Sequence, residues 1–266
     1  MSTGRTADGA VVTVVDLAQP VHPGVPTSPN HPGYRHSLLR RHGDAVRVDG
    51  TSGANDLLVM GTHTATHLDA LAHISHDGLL HGRVSAAQAQ AGGRFLDHGV
   101  HTVDPIVTTG YLLDVPAVLG VDRLAPGHAV TVAELSQALG DRRPAPGAGL
   151  LVRTGWAQLW DAPAAFLDHD GGVPGPDEEG VAWLASHRPC VVGSDTTAFE
   201  HIPGGAGHAR LPGHRILLVE NGIPILEMLD LEQLARAGTK AFTLVAAPLR
   251  LVGATGSPLR PIAILH

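Results

Sequence analysis

The chain has 266 residues, 43% of them hydrophobic, and a formal net charge of −7 with histidine neutral. That length and apolar content support one large domain or two small ones and exclude extended disorder. The acidic balance disfavours nucleic acid and anionic membranes as partners, because both require a basic face.

No apolar run approaches the ~18 residues of a membrane span. Residues 1–10 are small and polar, carry no apolar signal core and read as a flexible tail, leaving 11–266 as the folded unit. Cys190 is the single cysteine. It lies in an apolar run and reads as a buried thiol, so no intrachain disulfide forms and cytoplasm is the expected compartment. Aromatics are only 3%, so the core is assembled from Val, Leu, Ile and Ala, whereas the 18 histidines exceed what packing requires.

In chain order, Val11–Val15 is a β-branched strand. Residues 19–33 hold five prolines and form an extended loop. Leu57–Met60 reads as a buried strand leading into a histidine run, and Tyr111–Val115 as another strand. Thr131 with Glu134 forms a capping box that opens a helix through Leu139, closed by Gly140. Gly149–Arg153 is a strand. Asp177-Glu-Glu179 opens a helix to about His187 with its acids on the positive end of the dipole, and Pro189 ends it. Val191–Asp195 is a strand, 200–213 is Gly/His-rich and irregular, and Leu231–Ala237 is a short helix. Phe242–Ala246 and Pro261–Leu265 are closing strands. Helices alternating with short apolar strands place the fold in the α/β or α+β class, as one domain without repeats.

Four candidate ligands fall within eleven residues: His63, His67, Asp69 and His73. A continuous helix would turn His67 and Asp69 to nearly opposite faces. A continuous strand would separate His63 from His73 by ~33 Å. A mixed backbone satisfies all four. An extended piece puts His67 and Asp69 on one face, a bend near Thr64-Ala65 swings His63 inward, and a helix from Asp69 brings His73 one turn above it. Thr66 suits the turn or a cap at the transition. Imidazole with carboxylate suits Zn²⁺, Mn²⁺ or Fe²⁺ rather than Ca²⁺. Glu227 follows the apolar run Ile223-Pro-Ile-Leu226, and a buried carboxylate there requires a cation or a partner. Asp195 and Glu200 are read equally as solvated loop residues or site residues.

The run His63-Thr-Ala-Thr-His67-Leu-Asp69-Ala-Leu-Ala-His73 resembles the hallmark His-x-Gly-Thr-His-x-Asp-x-Pro-x-His of the cyclase/kynurenine formamidase family of metal-dependent hydrolases. Ala65 stands at the hallmark glycine and Leu71 at the proline. Asp16–Pro20, Val152–Trp156, Gly193–Thr196, His214–Glu227 and Ala247–Pro261 extend the likeness over nearly the whole chain.

The resemblance implies His63, His67 and Asp69 as metal ligands, with His214 and Glu227 as the distant pair, and one or two Zn²⁺ or Mn²⁺ ions. It implies His73 as the acid/base histidine; the nearby His76 and His81 are candidates to assist or replace it. It further implies a swivelling β/β/α fold around a central mixed sheet, a homodimer or homotetramer, and hydrolysis of an amide, lactam or related C–N bond in a small carbonyl compound. Ile74 replaces the aromatic that often follows the third histidine. Tyr34, Trp156, Trp160 and Phe199 are the residues available to stack on an aryl substrate. The run His73–Gly82 and the extra sequence at 85–104 resemble the longer, isatin hydrolase-like branch.

Other classes fit less well. No Gly-x-Ser-x-Gly elbow occurs. The glycine-rich 253–257 lacks the lysine of a phosphate loop. A cyclase or dehydratase using the ion as a Lewis acid, and a non-catalytic metal-binding scaffold, are the remaining alternatives.

Overall fold

The computed structural model describes residues 1–5, 9, 11–28 and 31–266. Its centre is a ten-stranded mixed sheet built from β1 (Ser2–Arg5), β2 (Val11–Asp16), β5 (His67–Asp69), β6 (Ile106–Asp114), β7 (Gly149–Arg153), β8 (Val191–Ser194), β9 (Ile225–Glu227), β10 (Ala241–Ala246), β11 (Gly256–Pro258) and β12 (Ile262–Leu265). A separate hairpin joins β3 (Arg35–Arg40) to β4 (Asn55–Val59). The sheet runs β1-β2-β12-β10-β6-β7-β8-β9-β5-β11. The neighbours β6, β7, β8 and β9 are parallel, and every other pairing is antiparallel.

The parallel centre is covered on both faces, as its unbroken apolar sequences require. In β7 every residue is buried. Leu150 and Val152 join one cluster with Leu135, Val181, Leu184 and Leu217. Leu151 turns the other way, towards Leu68, Leu226, Leu234 and Phe242. The first cluster is roofed by α1 (Val132–Leu139) and α2 (Glu178–Ser186). The capping box of Thr131 and Glu134 starts α1 and Gly140 ends it. Asp177 caps α2 by accepting from the Gly180 amide at 2.6 Å. The second cluster includes Leu234 of the short helix α3 (Glu232–Arg236). Among the described residues, no helix is long and apolar enough to cross a membrane.

Three expectations are corrected. Ser2–Arg5 is no loose tail: it pairs with Val11–Val14 at the sheet edge. Residues 6–8 and 10 of that stretch lie outside the described residues. Leu57–Met60 does not form a buried strand either. Its apolar run joins the two-stranded hairpin with β3, and Leu57, Leu58 and Val59 are each about half exposed. An apolar run marks strand propensity but does not say what covers it. The strand expected at 111–115 begins five residues earlier, at Ile106, where the thin pattern Val-Thr-Thr-Gly hides it.

Arg153 ties the sheet end together. Its guanidinium donates to Asp114 at the end of β6 (2.8 Å), to Glu232 of α3 (2.8 and 3.1 Å) and to the Asp122 carbonyl (3.1 Å). Removing one side of a buried pair strands the other charge. We expect Arg153→Ala to lower unfolding free energy by about 3 kcal/mol in urea titration. Arg153→Lys should recover less than half, because an ammonium cannot reproduce the forked contacts.

Candidate metal centre

Strand register creates the site. Across the antiparallel β5–β9 pair, His67 stands opposite Glu227 and Asp69 opposite Ile225. Leu68 and Leu226 point into the cluster on one side of the sheet. Alternation therefore puts His67, Asp69 and Glu227 together on the other face. His67 Nε2 lies 3.3 Å from Asp69 Oδ1 and 3.5 Å from Glu227 Oε2, with all three side chains buried.

The turn before β5 delivers His63. Ala65 adopts φ = 55°, left-handed backbone, as the expected bend near Thr64-Ala65 requires. The Ala65 carbonyl then accepts from His67 Nδ1 at 2.7 Å, which leaves the Nε2 lone pair facing the carboxylates. His63 Nδ1 comes within 2.6 Å of Asp69 Oδ1, and its Nε2 within 2.8 Å of Thr255 Oγ1. Gly256 makes this approach possible: a Cβ there would sit 2.5 Å from His63 Cε1.

His214 arrives from the opposite side, on the helical turn Pro212–His214 that runs into a π-helical segment, Arg215–Asn221. Such π turns recur at functional sites. Its Nδ1 faces Glu200 Oε1 at 2.7 Å, and the same carboxylate accepts from the His214 amide (2.8 Å) and the Gly213 amide (2.6 Å). His214 Nε2 is thereby presented to Glu227 Oε1 at 3.3 Å and Asp69 Oδ2 at 3.6 Å.

His73 also joins the cluster, by a different route from the one expected. No helix follows Asp69. The Ala70 amide donates to the Thr255 carbonyl and the Ala72 amide to the His98 carbonyl, so tertiary pairing replaces helical bonding. A tight turn, His73 amide to Ala70 carbonyl at 2.9 Å, swings the side chain over the site. Its ring lies 4.0 Å from the His63 ring, tilted by 30°. Among the described residues the His73 imidazole has no hydrogen-bond partner. His76 is corrected: its side chain is 53% exposed and faces Asp77 at 3.6 Å, outside the pocket. His81 is also elsewhere, bonded to the Val219 carbonyl.

The electrostatics call for a cation. Burial and the Asp69 charge raise the pKa of Glu227. For Asp69, burial is outweighed by His73, His63 and His67, which hold its pKa well below the usual range. Burial opposes charge on His67, yet Asp69 and Glu227 raise its pKa to about 9. Burial likewise opposes charge on His214, and Asp69, Glu200 and Glu227 raise its pKa well above the ordinary value. Burial dominates at His73 and lowers its pKa to about 3. Two buried oxygens, Asp69 Oδ2 and Glu227 Oε1, still lack any hydrogen-bond partner. Ligand atoms of His67, Asp69 and Glu227 lie within 4.8 Å of one another, as do those of His63, Asp69 and His73. Imidazole nitrogens and carboxylates converging on orphaned acceptors fit a divalent cation.

A cavity of about 320 Å³ opens over the cluster. Its apolar wall is Ile74, Leu167, Val173, Ile202, Leu211 and Met228, and His31, His169 and His208 add imidazoles. The proposed stacking aromatics are not in it. Trp156, Trp160 and Phe199 are core residues, and the indoles donate to the Phe166 and Pro20 carbonyls. Tyr34 packs beside the same cluster.

Asp195 and Glu200 are both buried. Asp195 accepts from Thr154 and Gly155 and joins the ends of β7 and β8 outside the cluster. Glu200 and Thr255 orient the His214 and His63 imidazoles. Nothing in the irregular segments around them marks that task in sequence, beyond the presence of a carboxylate and a hydroxyl. Glu200→Gln should weaken divalent-metal affinity about 10–100-fold, read by competition with a coloured chelator, while the far-ultraviolet dichroism stays unchanged.

Comparison with known proteins places the chain among relatives of one family and fold. An isatin hydrolase from Roseibium aggregatum is 26% identical over 224 residues, covering 82% of this chain and 77% of the relative. A kynurenine formamidase from Paracidovorax citrulli is 25% identical over 251 residues, covering 93% and 94%. A crystal structure described as a novel cyclase has a TM-score of 0.85 at 28% identity, covering 95% of this chain and 88% of that one. The family described as putative cyclase matches residues 15–201, from β2 through Glu200 and including the whole histidine run. The chain belongs to the putative cyclase family.

Proposed function

We propose that the protein is a metal-dependent hydrolase that cleaves an amide, lactam or related C–N bond in a small carbonyl compound. The observation that carries this reading is the convergence of two orphaned carboxylate oxygens with inward-facing imidazole nitrogens, beside a histidine that has no hydrogen-bond partner among the described residues. The activities named for the isatin hydrolase and kynurenine formamidase relatives support it.

His63, His67, Asp69, His214 and Glu227 would hold one or two ions, Zn²⁺ or Mn²⁺, which suit this donor set. Such an ion supplies a lowered water pKa and a polarised carbonyl. His73 handles the protons. It takes one from the attacking water as oxygen adds to the carbonyl carbon, and returns it to nitrogen as the C–N bond breaks. The ring stack on His63 places it beside the cluster without spending its nitrogens on another partner. Thr255 and Glu200 hold the His63 and His214 rings in the orientations this requires.

His73→Ala should keep its metal and lose at least ~100-fold in kcat. Metal content by elemental analysis beside turnover of formamides, lactams, imides and esters checks this. Full activity would remove His73 from the mechanism. Chelation should abolish turnover and lower the melting temperature, since a ligand at about 100 times its Kd contributes roughly 2.7 kcal/mol of stability. Zn²⁺ or Mn²⁺ should restore both. Reaction in ¹⁸O-labelled water should place one labelled oxygen in the product carboxylate. An unlabelled product would identify a cyclase or dehydratase instead.

A further inference from the structure

The cavity wall has a chemistry of its own. Among its described lining residues there is no lysine and no arginine. The fixed charges are Glu227 and Asp168 on the wall and Asp69 beneath it. A divalent cation formally cancels Asp69 and Glu227. On the wall itself the remaining fixed charge is Asp168, a half-buried loop residue that accepts from the Gly171 amide at 2.9 Å. A substrate carboxylate placed away from the reacting bond would find no cation to pair with and would meet this acid. Burying a charge without a partner is heavily disfavoured.

The apolar part of the wall is aliphatic, with Ile74, Leu167, Val173, Ile202, Leu211 and Met228, and the flat rings among its described lining residues are imidazoles, with no Phe, Tyr or Trp. At about 320 Å³ the space lies at the small end of ligand pockets. The remaining polar groups, among them His31, His169 and His208, can donate to a carbonyl without demanding an ion.

We infer that the substrate is a small uncharged amide on an aliphatic rather than an aromatic frame, lactams and cyclic imides included, and that zwitterionic formyl-amino acids are excluded. This rests on the hydrolase reading above. The chemistry balances with water alone: oxygen joins the carbonyl carbon, the amide C–N bond breaks and nitrogen takes the proton. Lactam opening turns a neutral ligand into an amino acid zwitterion. The wall that admits the ring then fits the product poorly, which favours its release.

The test compares kcat/KM of the metal-loaded protein for a saturated lactam and imide, their ring-carboxylated counterparts, N-formylkynurenine and isatin. The neutral saturated rings should exceed the carboxylated rings and N-formylkynurenine at least tenfold. Leu211→Arg should narrow that ratio at least tenfold by giving the carboxylate a partner. Equal rates for neutral and carboxylated rings, isatin turned over faster than every saturated ring, or an unchanged ratio in Leu211→Arg would overturn the inference. If nothing is turned over, melting-temperature shifts of the metal-loaded protein with the same compounds decide. Stabilisation by the neutral rings alone keeps the substrate class while the hydrolase reading falls. Equal shifts, or none, overturn the class itself.

Discussion

Two carboxylates buried at one point dominate this molecule. Asp69 and Glu227 lie on adjacent antiparallel strands, on the same face, with almost no exposure to water. Like charges brought together in a low-dielectric site raise one another's pKa, and only a positive charge between them reverses that. The protein surrounds the pair with imidazoles, and His67 and His214 become strongly basic because they supply the missing charge. A divalent ion would do the same with directed bonds in place of protons, so metal and protons compete at this point.

The pair is rigid because its supports come from separate parts of the chain. The Ala65 carbonyl fixes His67, Thr255 fixes His63 and Glu200 fixes His214. Thr66, just outside the cluster, donates to the Met228 carbonyl and accepts from the Gln19 amide, which pins the turn to the segments beside it. The reacting end is thus mounted on the sheet. The pocket wall, by contrast, comes mainly from loops and short turns that carry Ser28, His31, Leu167–Val173 and Ile202–Leu211. Chemistry on the scaffold and selectivity on the connections is the usual division of labour in such folds.

Much of this was legible from residue pattern. The caps at Thr131 and Asp177 locate two helices because they satisfy orphan amides locally. The central strands announce themselves as unbroken apolar runs. The two-residue spacing of His67 and Asp69 matched a strand, and the costly burial of Glu227 matched its place facing His67 and His214. The failures share a cause. The helix after Asp69, the buried strand at 57–60 and the stacking role of the tryptophans each depended on which distant group meets the segment. The carbonyls of His98 and Thr255, the solvent-exposed hairpin and the Phe166 carbonyl decided those cases. Glu200 was ambiguous because Gly/His-rich sequence has no periodicity from which to infer burial.

The two departures from the hallmark both concern backbone, and the structure explains why neither disturbs the centre. The hallmark glycine position is Ala65, whose φ of 55° is the conformation glycine adopts freely. Alanine there costs roughly 1–2 kcal/mol. Its methyl group, fully buried, packs with Trp156 and Phe166 and offsets part of that cost. The hallmark proline position is Leu71. Among the described residues its amide donates no hydrogen bond, while those of Ala70, Ala72 and His73 all do, so a residue without an N–H would fit there equally well. Leu71 uses the position to pack against the cluster roofed by α1 and α2. The ligand geometry therefore belongs to the path of the backbone: a left-handed residue at 65 and an unneeded donor at 71. A residue that tolerates that path and fits the packing around it can occupy these positions while His63, His67 and Asp69 keep their places.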